Sequence, residues 1–435
     1  SLSELSRITA YSFTLPRSLY NSLAFFPTWS TLFPAALLQT TPESLRPSWS
    51  IFILLARIAL LALTTALGVN ITATHRNLSL PCNLVGTVLL AYLHSFDGTT
   101  ASNLIFLLPL LAASLATTTL SPAKTRHVGT RAARHLLAVV YALASLWKVN
   151  EDWLTAAQPL QRWLSSRHIL PATASHSVSI AALVLCWASL LLEVGAAYAY
   201  AAPARLSLRT RRLLVLLLTF FHLTNATLFN LGGLPWLFIA SLVLLAPAGS
   251  LNPLAAGSPA KVTAPPSTSS TLLHLVVLAV AIVPSILSLS TSVVFTPTLH
   301  TRPATWTREY YGYCWRFRLL DVRGGGNTQF YVTPKEGEAA GRRMPFDVDR
   351  ILTPLQSAKV ACNPVLLHET AHILATHWQR GTGEEVAVSV ETSCSLNGRP
   401  AQPVVDEDAD LTAHPRHVYP LPFTTELPAR SSWFI

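Results

Sequence analysis

Charge is what this sequence has least of. Only 12% of its 435 residues are Asp, Glu, Lys or Arg, about half the share of a soluble globular domain. The shortfall is concentrated in the first two thirds, so those residues are expected to meet lipid. Cysteine pairs at metal-binding spacing are also missing. Cys82, Cys186, Cys314, Cys362 and Cys394 are scattered and odd in number. That argues against a zinc ribbon or a dense disulfide framework, and leaves one disulfide possible but unassigned. Methionine occurs once, as Met344, and the first residue is Ser1. A removed presequence, organellar or secretory, or a trimmed chain would explain that start. Lysine is confined to Lys124, Lys148, Lys261, Lys335 and Lys359. No basic run is interleaved with aromatics, so the net charge of +10 suits anionic headgroups better than nucleic acid.

Apolar residues fill the space. They make up 51% of the chain, and a membrane helix needs about 20 of them in a row. Candidate spans run over Trp49–Val69, Leu80–Leu93, Leu104–Leu120, Leu136–Trp147, Val178–Ala202, Leu213–Leu231, Leu234–Leu245 and Leu272–Leu289, about eight in all. Residues 1–48 are read as an interfacial segment or one kinked span, broken by Pro27 and Pro34. Residues 247–270 are rich in Pro, Ala, Ser and Gly and read as a linker before the last span. The fold expected over 49–295 is an all-α membrane bundle. The basic stretches Lys124–Arg134 and Arg205–Arg212 would share the cytoplasmic or equivalent face if both lie on one side. Asn70, Asn77 and Asn225 each open a glycosylation sequon, the third inside an apolar span.

Past about Thr296 the composition changes. Residues 296–435 read as an extramembrane, mostly-β, sandwich-like domain. Trp315–Val322 and Thr328–Val332 are expected as strands joined by a turn at Gly324-Gly325-Gly326-Asn327, and Glu385–Ser393 as a further strand. Pro364–Trp378 reads as a helix with Pro at its start.

Ionisable residues inside apolar spans are functional candidates because burying them is costly. Lys148 ends one apolar helix, Glu193 sits inside Leu190–Val194, and His222 follows Phe220-Phe221. Burial removes the solvation that favours a charged amine, so a lysine in an apolar site can be neutral near pH 7 and act as a general base. A nearby histidine can shuttle protons or hydrogen-bond an oxyanion. The plainer alternatives are a snorkelling lysine and, for Glu193 and His222, a buried hydrogen-bonded pair that locks helices together. Separately, His368-Glu369-Thr370-Ala371-His372 fits HExxH, the helical spacing that binds zinc with Glu activating water. It lacks an evident third ligand.

Four segments, in order, resemble a known family. Val140–Lys148, continuing through Val149-Asn150-Glu151-Asp152-Trp153, is similar to the signature helix of the vitamin K-dependent gamma-carboxylases and their HTTM (horizontally transferred transmembrane) relatives. Phe221-His222-Leu223-Thr224-Asn225, ending at Phe229, resembles the family's Phe-His-x-x-Asn helix. Tyr311-Gly312-Tyr313-Cys314-Trp315 resembles the start of its extramembrane domain, and Ser395-Leu396-Asn397-Gly398-Arg399-Pro400 its closing stretch.

The resemblance implies a lysine base acting on reduced vitamin K, a hydroquinone. With O2 this yields a strong base that removes a γ-proton from a peptidyl glutamate, and the carbanion captures CO2. Lys148 and His222 match catalytic residues. Asn103, Asn225, Tyr313 and Trp315, with Glu193, are placed at the quinone or substrate; no metal is expected. Two departures stand out: Leu104 occupies the place of a histidine in the family's carboxylases, and Arg316-Phe317-Arg318 replaces a methionine pair. The luminal disulfide of the animal enzymes has no obvious pair.

The leading expectation is a membrane carboxylase or quinone epoxidase of the endoplasmic reticulum or of a mitochondrial or plastid membrane. Its partners would be the bilayer, a quinone and a glutamyl substrate. The alternatives are a non-catalytic HTTM-fold subunit of an organellar membrane complex, and a zinc protease built on His368, Glu369 and His372.

Overall fold

The computed structural model describes Leu107, Leu110, Leu111 and Ser114, then residues 127–169, 179–229, 234–245, 268–293, 304–309, 314–317, 319–324, 328–352, 357–358, 360–416 and 421–427. The expected segment 1–48, the spans Trp49–Val69 and Leu80–Leu93, most of Leu104–Leu120, linker residues 247–267, and the candidates Asn103 and Tyr313 lie outside the described residues.

The bundle is built from α1 (His127–Trp147), the short α2 (Glu151–Leu154) and α3 (Leu160–Ser166), α4 (Ile180–Ala201), α5 (Leu208–Leu228), α6 (Leu234–Ser241) and α7 (Thr268–Val293). Serine starts two of the long helices. Ser179 accepts from Ala182 N at α4, and Ser207 from Thr210 N at α5, satisfying amides the helix itself leaves unpaired. Among the described residues α4 is the one helix long and apolar enough to cross a bilayer. α1 and α5 reach comparable length but carry arginines in their first two turns or so.

Small residues let α1 and α4 approach closely. Ala132, Ala133 and Ala144 on α1 and Ala196 and Ala199 on α4 are buried, the composition that favours tight helix contact in lipid. Tyr141 and Tyr200 stack across that seam with centroids 5.7 Å apart. At its start α1 brings Arg134 within electrostatic range of Arg211 on α5, so the two basic stretches meet at one end of the bundle. The linker ends three residues earlier than expected, since α7 already begins at Thr268.

After α8 (Ala304–Thr307) come two three-stranded antiparallel sheets. One runs β1 (Val322–Gly324), β5 (Ser393–Leu396), β6 (Gln402–Pro403). The other runs β3 (Met344–Phe346), β2 (Gln329–Pro334), β4 (Val386–Glu391). α9 (Pro364–Thr382) packs Leu367, Ala371 and Leu374 against Val386, Val388 and Val390 of β4. It starts on an Asn363 cap with Pro364 in its first turn, and ends at Gly383 in the left-handed region. The domain is thus two small sheets with a long helix rather than a plain sandwich.

The expected hairpin across Gly324–Asn327 does not form. β1 pairs with β5, while β2 pairs with β3 and β4. Trp315 is not in a strand; its ring is buried in the bundle core with Phe317 beside it. β1 is only three residues long, and its partner is set at Gly324. A Cβ there would collide with the Ser393 carbonyl oxygen, so glycine is what lets β1 lie against β5. The unassigned disulfide is Cys362–Cys394, joining the chain just before α9 to β5.

Candidate active site

The site begins where α1 stops. Lys148 N bonds Ser145 O at 3.0 Å, and Asn150 caps α2 by accepting from Trp153 N at 3.0 Å. This tight reversal leaves Lys148 facing inward, 4% exposed. Its Nζ donates to Glu193 Oε2 of α4 at 2.5 Å, and Glu193 is 3% exposed. Glu193 is the only acidic residue between Asp152 and Glu309. The Trp153 ring lies 5.4 Å from Nζ and is fixed by its Nε1 donating to Cys186 O at 3.0 Å.

His222 on α5 is also buried, but Glu193 is not its partner. Its Nε2 meets the Tyr141 hydroxyl at 2.7 Å, and its ring stacks on Phe238 at 5.0 Å with an interplanar angle of 8°. The helix lock expected between Glu193 and His222 is therefore two separate contacts, one to Lys148 just past α1 and one to Tyr141 on α1.

Lys148, Glu193, His222, Asn225 and Tyr141 share one cavity of about 380 Å³, walled mainly by aromatic side chains such as Trp153, Trp163, Phe221, Phe229 and Phe317 and by aliphatic ones, with Ser189 and Thr224 among them. Asn225, three residues beyond His222, lies on the same face of α5. It lines the cavity, which is no place for a glycan. The other candidate, from the C-terminal region, falls elsewhere. Trp315, at φ 61°, donates Nε1 to Ala281 O of α7 at 2.7 Å and packs in the core, outside the cavity lining. Phe317 takes the place expected for it, and Arg316 stacks on Trp147 at 3.6 Å.

Sequence reasoning missed a clamp beside the cavity. Arg399 holds Asp152 with both guanidinium ends, at 2.7 and 2.8 Å. Asn397 Nδ2 donates to the same carboxylate at 2.7 Å, while its Oδ1 accepts from Asp321 N at 2.9 Å. Two of the quoted motifs, about 245 residues apart, are thus the two jaws of one contact. The signal was present, since both motifs carry these residues at fixed places; nothing local shows that they meet.

The HExxH residues sit on α9, away from the cavity. His368 and His372 face each other with Nε2 atoms 3.1 Å apart, and His372 Nε2 meets His414 O at 2.9 Å. Among the described residues no group of three metal-ligating side chains is present. Glu369 lies 3.8 Å from Arg416 and is pushed up to about 7 by burial, which Arg416 offsets in part. Burial, then repulsion from His372, pushes His368 down to about 4. The spacing serves packing here: His368 also lies against Phe423, with centroids 5.0 Å apart.

Two family models match in tandem. The HTTM domain covers residues 48–248, and the lumenal domain of vitamin K-dependent gamma-carboxylase covers residues 285–428. The first match spans α1 to α6, and the second spans the end of α7 and the sheet-containing residues that follow it. The chain belongs to the vitamin K-dependent gamma-carboxylase-like HTTM family, whose members are membrane-associated. No individual curated protein and no solved structure matches it.

Proposed function

We propose that this chain is a membrane enzyme in which Lys148 is the base that acts on a reduced naphthoquinone, of the vitamin K class, as the first half of glutamyl carboxylation. The observation that carries this reading is a buried lysine facing an apolar cavity with a single carboxylate beside it. The cavity falls within the size range of small-molecule sites, roughly 300–1,000 Å³. Its aromatic walls suit a flat, apolar ring, and Lys148, Glu193, His222 and Asn225 are among its few polar groups.

When bound, the reduced quinone would supply the hydroxyl proton to be removed and, with O2, the strong base that glutamyl deprotonation requires. Lys148 takes that proton. Lys148 Nζ donates to Glu193 Oε2, and the pair is neutral overall whether ionic or not, so its burial is tolerable. An accepted proton leaves the pair positive, which stabilises negative charge developing beside it. The Tyr141 hydroxyl and the Phe238 stack hold the His222 ring in place, ready to donate or accept one hydrogen bond. Asn225 offers an amide on the same face. Trp153, Phe221 and Phe317 exclude water, which would quench a strong base.

A second reading has one observation in its favour. Leu104 stands where the family's carboxylases carry histidine. In that reading the chain is a non-catalytic subunit of a membrane complex, and Lys148–Glu193 is a helix lock. A photoreactive naphthoquinone distinguishes the two. Adducts on cavity residues of α4 and α5, competed by unlabelled quinone, support the enzyme; labelling that ignores the cavity contradicts it.

A further inference from the structure

At the end of the bundle away from Lys148, basic groups gather with no acidic partner among the described residues. Arg131, Arg134 and His135 lie on one face of α1 by their spacing. Arg211 comes from the first turn of α5 and His274 from α7. The Arg134 guanidinium feels the repulsion of both Arg131 and Arg211, and the rings of His135 and His274 stand 5.2 Å apart. None of the five is in an ion pair with a carboxylate of the described residues. Their own helices α1, α5 and α7 contain no Asp or Glu, and Glu193 of the neighbouring α4 is already held by Lys148. Two buried nitrogens there, the Arg211 Nε donor and His274 Nε2, have no hydrogen-bond partner among the described residues.

Like charges held together with unpaired buried donors raise the energy of the folded chain. An anion would relieve both costs at once. Arginine forks match phosphate oxygens in two-point contacts. Position says which phosphate. Arg134 lies about 20 Å along α1 from Lys148, at 1.5 Å per residue, which is most of the way across a hydrocarbon core. The extramembrane domain, at the Lys148 end through the Asp152–Arg399 contact, carries a disulfide and so belongs on the oxidising side. The arginines then face the opposite leaflet, where positive charge collects and anionic lipids are enriched.

We propose that Arg131, Arg134 and Arg211 form a binding site for the phosphate of an anionic phospholipid headgroup in the leaflet opposite the extramembrane domain. The site is independent of what the Lys148 cavity does.

The test is native mass spectrometry of the full chain in neutral detergent, with dioleoylphosphatidylglycerol or dioleoylphosphatidylcholine added at equal concentration. Wild type is expected to retain the glycerol lipid preferentially, and Arg134→Gln with Arg211→Gln to lose that preference by roughly tenfold or more. Arg380→Gln, at an exposed position of α9, is expected to change nothing. Removing mutual repulsion should leave the double variant at least as heat-stable as wild type without lipid. Equal retention of both lipids by wild type, or an unchanged preference in the double variant, would overturn the proposal. So would a double variant that fails to fold, which would make the arginines packing elements. Full displacement by inorganic phosphate would overturn the assignment to lipid.

Discussion

Breaking the Asp152–Arg399 clamp tests how the two halves of the molecule are joined. The side chains of Arg399 and Asp152 are 10% and 15% exposed, with contacts of 2.7 and 2.8 Å between them and a further 2.7 Å bond from Asn397. Hydrogen bonds to charged groups contribute about 1.5–3 kcal/mol each, and removing one partner of a buried pair costs about 3–5 kcal/mol because the other charge is stranded. Some exposure remains, so Asp152→Asn or Arg399→Gln should each cost about 3 kcal/mol. The double variant strands no charge and should cost little more than either single. A double-mutant cycle on thermal unfolding of the full chain in detergent reads this directly, with a coupling of about 2–3 kcal/mol expected. Additive single effects would refute the reasoning, because they would mean that the two groups do not depend on each other.

Three further outcomes are expected. Glu369 has its folded value raised to about 7 from 4.5, so the folded state binds the extra proton and stability is lost as pH rises between those values. Glu369→Gln should therefore gain up to about 3 kcal/mol over wild type at pH 8 and nothing at pH 4.5, by chemical denaturation at both pH values. His368 works the other way, being lowered to about 4 from 6.5. Replacing it with Gln should relieve a destabilisation seen only as pH falls below about 6.5, readable as a shallower acid limb. Removing the disulfide with Cys362→Ser and Cys394→Ser opens a loop of 32 residues and should lower stability by about 4 kcal/mol, seen as a matching drop in the unfolding midpoint.

Local patterns in the sequence carried over well where the structure is local. The alternation of Val386, Val388 and Val390 became the buried face of β4, and Pro364 did open a helix. Long-range pairing was not legible. The Gly-rich stretch at 324–326 read as a hairpin turn, yet Val322 pairs with Leu396 and Phe330 with Val390. Partners so far apart are chosen by the packed core, which no turn signal encodes. Five scattered cysteines gave no pairing, and only the approach of β5 to the start of α9 selects Cys362–Cys394. At the site, Lys148, Glu193 and His222 were visible as ionisable groups in apolar runs. Their pairing was not: Glu193 meets Lys148 because α4 packs along α1, and His222 meets Tyr141 instead. Trp315 looked like a cavity residue by its motif, but its positive φ turns the ring to α7 and leaves Phe317 at the cavity.

The most direct measurement is quinone epoxide formation by the purified full chain, supplied with reduced vitamin K, O2, bicarbonate and a glutamyl peptide. Lys148→Ala and Glu193→Gln would be run beside wild type. The account predicts epoxide from wild type, loss of at least about a hundredfold in Lys148→Ala, as expected for removal of a general base, and a smaller loss in Glu193→Gln. No epoxide from well-folded wild type, or equal epoxide from Lys148→Ala, would contradict it.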